Sequence, residues 1–158
     1  MNVGASSITD TGLYFQWGDA QGYTAEQIGT GEGKKAFTWA DYKFSSDAQG
    51  SSMTKYNSTD GKTVLDLEDD AARANWGGSW RMPTAEEMQA FGNAVNAVWT
   101  DDYNNTGVAG LVCTDKTDNT KAVFFPAVGV CDNGSVIDVG NYSSYWCSSL
   151  LTGNRQKA

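Results

Sequence analysis

Apolar positions in this chain fall in short runs separated by polar stretches rich in glycine, serine and threonine. One stretch organises the rest. Gly77-Gly78 allows a turn that side chains would obstruct, and Trp80 and Met82 then alternate with Arg81 as an extended piece. Pro83 biases Met82 away from helical angles, Thr84 is a strong N-cap, and Glu87 completes a capping box. Met88, Phe91, Val95 and Val98 follow on one helical face, which predicts a helix over 84–99.

The other runs are shorter. Leu13 to Trp17 predicts a strand or extended segment in the core. Residues 20–36 read as a surface loop, and the aromatics at 37, 39, 42 and 44, which fit neither period, as an irregular segment pinning it. Residues 45–63 are polar, with Tyr56 as a lone anchor. Residues 69–76 predict a short helix with acids in its first turn, where carboxylates favour the positive end of the helix dipole. The acids at 66–70 also raise calcium, but the spread of oxygens and the glycine of a calcium loop are missing, so a solvated helix start is the expected state and no metal is assigned. From residue 108 the pattern predicts a small antiparallel sheet: strands at 108–114 and 121–130, a hairpin turn at Asn133-Gly134, a return at 136–139 and a last strand at 145–150. Trp17, Trp80, Met88, Phe91, Val95, Val123, Phe125 and Trp146 form the expected core.

Composition narrows the chemistry. The 158 residues predict a single domain, and a formal charge of −8 without a basic run argues against nucleic-acid and anionic-membrane partners. No run is long and apolar enough for a membrane span, and residues 1–12 show neither the basic nor the apolar part of a signal peptide. Histidine is absent, which removes Ser-His-Asp and Cys-His nucleophile pairs. Cys113, Cys131 and Cys147 allow one disulfide and a free thiol, or three buried thiols, the latter expected; no CxxC pair points to zinc.

Several motifs occur in a known order: Asn2-Val3-Gly4-Ala5-Ser6, Tyr14-Phe15-Gln16-Trp17-Gly18, Asp69-Asp70-Ala71-Ala72, Trp76 through Glu87, Phe124-Phe125-Pro126-Ala127 and Tyr145-Trp146-Cys147-Ser148-Ser149. Together they resemble the Fibrobacter succinogenes major paralogous domain family, a branch of the C-type lectin fold related to formylglycine-generating enzymes and to the variable proteins of diversity-generating retroelements. The resemblance spans nearly the whole chain. It implies an α+β domain over 1–158 with two helices and a small antiparallel sheet, truncated at both ends because the family's terminal strands are missing. Cys147 stands where the family usually has Ser.

The resemblance further implies a non-enzymatic binding module that is secreted, on the surface of a gut bacterium or on a phage, without a cofactor, taking a glycan or protein ligand. The rival readings are a structural surface or particle domain and, least favoured, a formylglycine-generating-type enzyme, since Cys147 has neither a base nor a second cysteine nearby in sequence. Tyr142, Ser143, Ser144, Tyr145, Cys147, Asn154 and Arg155 are the candidate ligand contacts, because aromatic residues among small polar ones make adaptable surfaces. Strand alternation over 145–149 predicts Trp146 and Ser148 inside, with Tyr145, Cys147 and Ser149 outside.

Overall fold

Residues 95–126, rich in β-branched and aromatic side chains, pair as an antiparallel meander in the computed structural model, which describes residues 1–150. The chain is α+β, with helices α1 (Ala71–Trp76) and α2 (Ala85–Ala94). Strands β1 (Val95–Thr100), β2 (Gly110–Asp115) and β3 (Ala122–Pro126) form one sheet in the order β1-β2-β3. Strands β4 (Val130–Asp132) and β5 (Ser135–Ile137) form a separate hairpin. Asn133 and Gly134 turn that hairpin at φ 45° and 77°, the double positive φ that favours Asn-Gly. The first 70 residues are loops with two single 3₁₀ turns, Ala25–Gln27 and Trp39–Asp41, joined by single bridges such as Tyr14 to Tyr23 and Ser45 to Met53.

The expected 84–99 helix stops at Ala94, and its last turns are β1 instead. Val95, Val98, Trp99 and Thr100 are β-branched or aromatic, and a ladder with β2 from Val95↔Asp115 to Thr100↔Gly110 overrides the helical spacing. The N-terminal half matches the expectation. Thr84 Oγ1 accepts from Glu87 N at 3.2 Å, and Glu87 Oε2 accepts from Thr84 N at 2.8 Å. Arg81 closes on the same carboxylate in a bidentate pair (2.7 and 2.5 Å), which lowers Glu87 to about 2.

The first helix also starts later than expected. Asp70 is its N-cap, accepting from Arg73 N at 2.9 Å, while its second oxygen accepts from Met82 N at 2.8 Å. One buried carboxylate thus ties the Gly77–Pro83 segment to α1. Asp69, unlike the exposed Glu68, is not part of a solvated helix start. Asp69 is only 2% exposed and sits at the centre of an ion cluster. It accepts from Tyr56 Oη at 2.6 Å and pairs with Lys43 and Lys55, each at 2.5 Å. Burial works to raise its carboxyl, but the bonds from Lys43, Lys55 and Tyr56 outweigh it and hold Asp69 below the ordinary range.

The core lies elsewhere than the helix face suggests. Trp17, Phe44, Tyr56 and Leu65 form the buried cluster, with Tyr42, Met53, Met82 and Leu150 packed around it. Trp17 and Phe44 both meet the Tyr56 ring edge-on at 5.1 and 5.3 Å. Of the expected core, Trp17 is buried, while Met88, Phe91, Val95 and Phe125 are half-buried. Trp80, Val123 and Trp146 are exposed. The loops, not α2, carry the large rings inward: Asp69 takes the Tyr56 hydroxyl and the Cys147 carbonyl takes the Trp17 indole N–H. The sheet packs more thinly: Phe91 meets Phe125 at 5.9 Å on one face, and Tyr103 stacks on Phe124 at 3.9 Å on the other.

Candidate functional site

Between the loop half and the sheet half lies an open cleft of about 1070 Å³. Tyr14, Phe37, Trp39, Trp76, Tyr145 and Trp146 give it aromatic walls, and Gln16, Asp132, Asn133 and Ser144 supply polar groups along them. Its size and lining fit a ligand site: mainly apolar walls with a few polar groups to fix orientation.

The Phe37–Trp39 wall is built by one carboxylate. Asp41 accepts from the backbone of Ala36 (2.7 Å), Phe37 (3.1 Å) and Thr38 (2.7 Å). Burial pushes its carboxyl up, but these donors and Lys35 prevail and lower it. The three bonds hold Phe37 at φ 56°, a left-handed conformation that a bulky residue adopts only when its surroundings impose it. Trp39 rests on Gly50, where a Cβ would fall 2.3 Å from the indole, so Gly50 is what lets the loop close over that ring.

The opposite wall is the C-terminal segment, and its polar groups are spent in holding it there. Tyr145 Oη donates to Pro126 O at 2.8 Å and Trp146 Nε1 to Phe15 O at 2.8 Å. Trp17 Nε1 donates to Cys147 O at 2.9 Å, and Ser148 N to Pro83 O at 2.8 Å. Residues 145–150 form no strand: within them Ser149 alone bridges, to Val64. The expected alternation therefore fails. Tyr145 turns inward, half-buried edge-on against Phe125 at 5.1 Å, while Trp146 is 38% exposed. Ser148 is buried as expected, and Cys147 and Ser149 are half-buried, not outward. The carbonyls of Pro126 and Phe15, in two separate segments and not a single ladder, dictate where the Tyr145 and Trp146 rings point.

Of the candidate contacts, Ser144 and Tyr145 line the cleft. Tyr142 is exposed beside them, its hydroxyl accepting from Ser144 Oγ at 3.2 Å, and Ser143 bridges to Gly129. Cys147 lies behind the wall, its Sγ 3.7 Å from Ser149 O. Asn154 and Arg155 lie outside the described residues. The wall residues Phe37, Trp39 and Trp76 were missed as site residues, although the unperiodic aromatic spacing at 37–44 was a signal that those rings do not share one core face. No protein-family model, curated protein or solved structure matches the chain.

Two features bear on chemistry. The thiols of Cys113, Cys131 and Cys147 are all free. Burial pushes Cys131, on the cleft wall, up to about 12 and raises Cys113 as well, so both stay protonated near neutral pH and are poor nucleophiles. The carboxylates of Asp66, Glu68 and Asp69 converge as metal ligands could. Lys55 lies at their focus, 2.7, 3.0 and 2.5 Å from the three, with Lys62 also on Asp66 at 2.5 Å. Ammonium groups thus neutralise this cluster, and it serves the core around Tyr56.

Proposed function

We propose that this chain is a non-enzymatic ligand-binding domain, displayed outside the cell or on a phage-like particle, that takes a glycan in the cleft between its two halves. The observation that carries the reading is the cleft itself: indole and phenol rings form its walls, with amide, carboxylate and hydroxyl groups beside them. A sugar ring has an apolar C–H face that lies on an aromatic ring and an equator of hydroxyls that reach such polar neighbours. Gln16 lines the cleft and is oriented there by its Nε2, which donates to Thr38 O at 3.3 Å. The resemblance of the 76–87 and 145–149 motifs to a lectin-fold family agrees with display and binding, and the protonated Cys131 speaks against thiol chemistry in the cleft.

An immobilised array of neutral, N-acetylated and acidic oligosaccharides tests this. Retention that falls at least tenfold in Trp39→Ala and in Trp146→Ala, with unchanged circular dichroism, supports the reading. Retention that both variants keep would move the site. No retention on the array, with capture of peptides from a displayed library by the same cleft, would replace glycan by protein as the ligand. Failure of both would leave the structural-domain reading.

A further inference from the structure

Among the described residues β1 is an edge strand bonded to β2 alone. Lys116 N donates to Ala94 O, and this phase of the ladder makes Asn96, Val98 and Thr100 the residues that bond to β2. The N–H and C=O groups of Val95, Ala97 and Trp99 therefore point away from the sheet. Among the described residues no turn, loop or further strand bonds to them. Edge strands are normally blunted by charge, proline, bulges or cover. Among the described residues β1 has none of these in a chain of net charge −8, and it exposes Val98 (64%) and Trp99 (44%). The other edge, β3, ends in Pro126 and follows Lys121.

The geometry points to a second copy of this chain as the partner of β1, paired antiparallel about a two-fold axis at Ala97. Among two-fold registers, the one centred on Ala97 is the one that pairs all three residues with free groups. Ala97 meets the partner's Ala97, and Val95 meets the partner's Trp99, each pair exchanging two backbone bonds. Alanine at the axis lets the strands close without steric conflict. Trp99 opposite the partner's Val95 is a favourable aromatic–β-branched pair. The strand ends are complementary in charge. Lys116 is anchored on Asn93 O at 2.8 Å beside the start of β1, and Asp101 follows its end. Antiparallel pairing brings Lys116 towards the partner's Asp101 at both ends. The two three-stranded sheets become one continuous sheet, with the glycan cleft of each copy left open.

Sedimentation velocity of the full chain, from low micromolar to millimolar concentration, reads the association, and amide exchange reads the register. The expected result is a mass that rises from 17.0 kDa towards twice that value. Over the same range exchange at Val95, Ala97 and Trp99 should slow at least tenfold, while Asn96 and Val98 do not change. Ala97→Pro removes the N–H at the axis at an edge position where proline is tolerated, and should remain monomeric. Ala97→Lys, which sets two ammonium groups side by side at the axis, should do the same with unchanged circular dichroism, and decides the matter where the proline variant does not fold. A mass that stays at 17.0 kDa throughout, association without slowed exchange at Val95, Ala97 and Trp99, or an Ala97→Lys variant that associates like the parent would each overturn the proposal.

Discussion

Replacing Asp69 by Asn should destabilise the protein by about 2 kcal/mol. The carboxylate accepts one buried hydroxyl, Tyr56 Oη at 2.6 Å, and two ammonium groups at 2.5 Å. A hydrogen bond to a charged acceptor contributes about 1.5–3 kcal/mol, against about 0.5–1.5 for a neutral one, so an amide oxygen keeps part of the Tyr56 bond and loses about 1 kcal/mol. The lysines lose less than a buried pair would. Lys43 has a side chain 41% exposed and can return to water, and Lys55 keeps Asp66 and Glu68. At about 0.5 kcal/mol each, these contacts supply the remainder. Asp69→Ala should cost more, about 3–5 kcal/mol, because it leaves Tyr56 without an acceptor beside Lys55. Urea titration is the assay: with a slope of about 2 kcal/mol/M, Asp69→Asn moves the midpoint down by about 1 M. Glu68→Gln, on a side chain 76% exposed, should move it little. The sign with pH follows from the lowered carboxyl. Folded Asp69 titrates below its ordinary 3.8, so its contribution is complete above that value and is lost as pH falls through the folded pKa. An unchanged midpoint for Asp69→Asn at neutral pH, or a stability difference from the parent that grows as the solution is acidified, would refute the reasoning.

Two further substitutions test the local architecture. Thr84→Ala should cost about 1 kcal/mol by urea titration, because Glu87 N loses its acceptor while Arg81 still holds the Glu87 carboxylate. Asp41→Asn should cost about 1–2 kcal/mol and raise amide exchange at Ala36, Phe37 and Thr38, since one carboxylate serves all three donors. Its lowered pKa gives it the same pH sign as Asp69: the contribution is present above 3.8 and is lost on acidification below it.

Legibility in the sequence follows the range of the interactions. The Thr84–Glu87 box and the Asn133-Gly134 hairpin are local, and both form where the residues predict them. The α+β class was readable for the same reason. The end of α2 was not, because Val95 and Val98 suit a helical face and a strand equally, and only β2, more than ten residues on, decides between them. Tyr56 looked like a lone anchor in a polar loop. It is the most buried large side chain because Asp69, Trp17 and Phe44 converge on it from three distant segments. The cleft was half legible. The Tyr142–Tyr145 stretch drew notice by composition, yet Tyr145 faces inward because its hydroxyl finds Pro126 O, a partner that no local pattern announces.

The account's central claim is that ligand enters the cleft between the loops and the sheet. The indole N–H signals in a nitrogen–proton correlation spectrum test it most directly, because the tryptophans stand on and off the site. Trp39, Trp76 and Trp146 line the cleft, whereas Trp99 lies on β1 with its Nε1 donating to Asp101 at 2.8 Å. On titration with an oligosaccharide retained on the array, the signals of Trp39, Trp76 and Trp146 should shift in a saturable way while that of Trp99 stays fixed. Saturable shifts confined to Trp99, or a retained oligosaccharide that moves none of Trp39, Trp76 and Trp146, would contradict entry into the cleft.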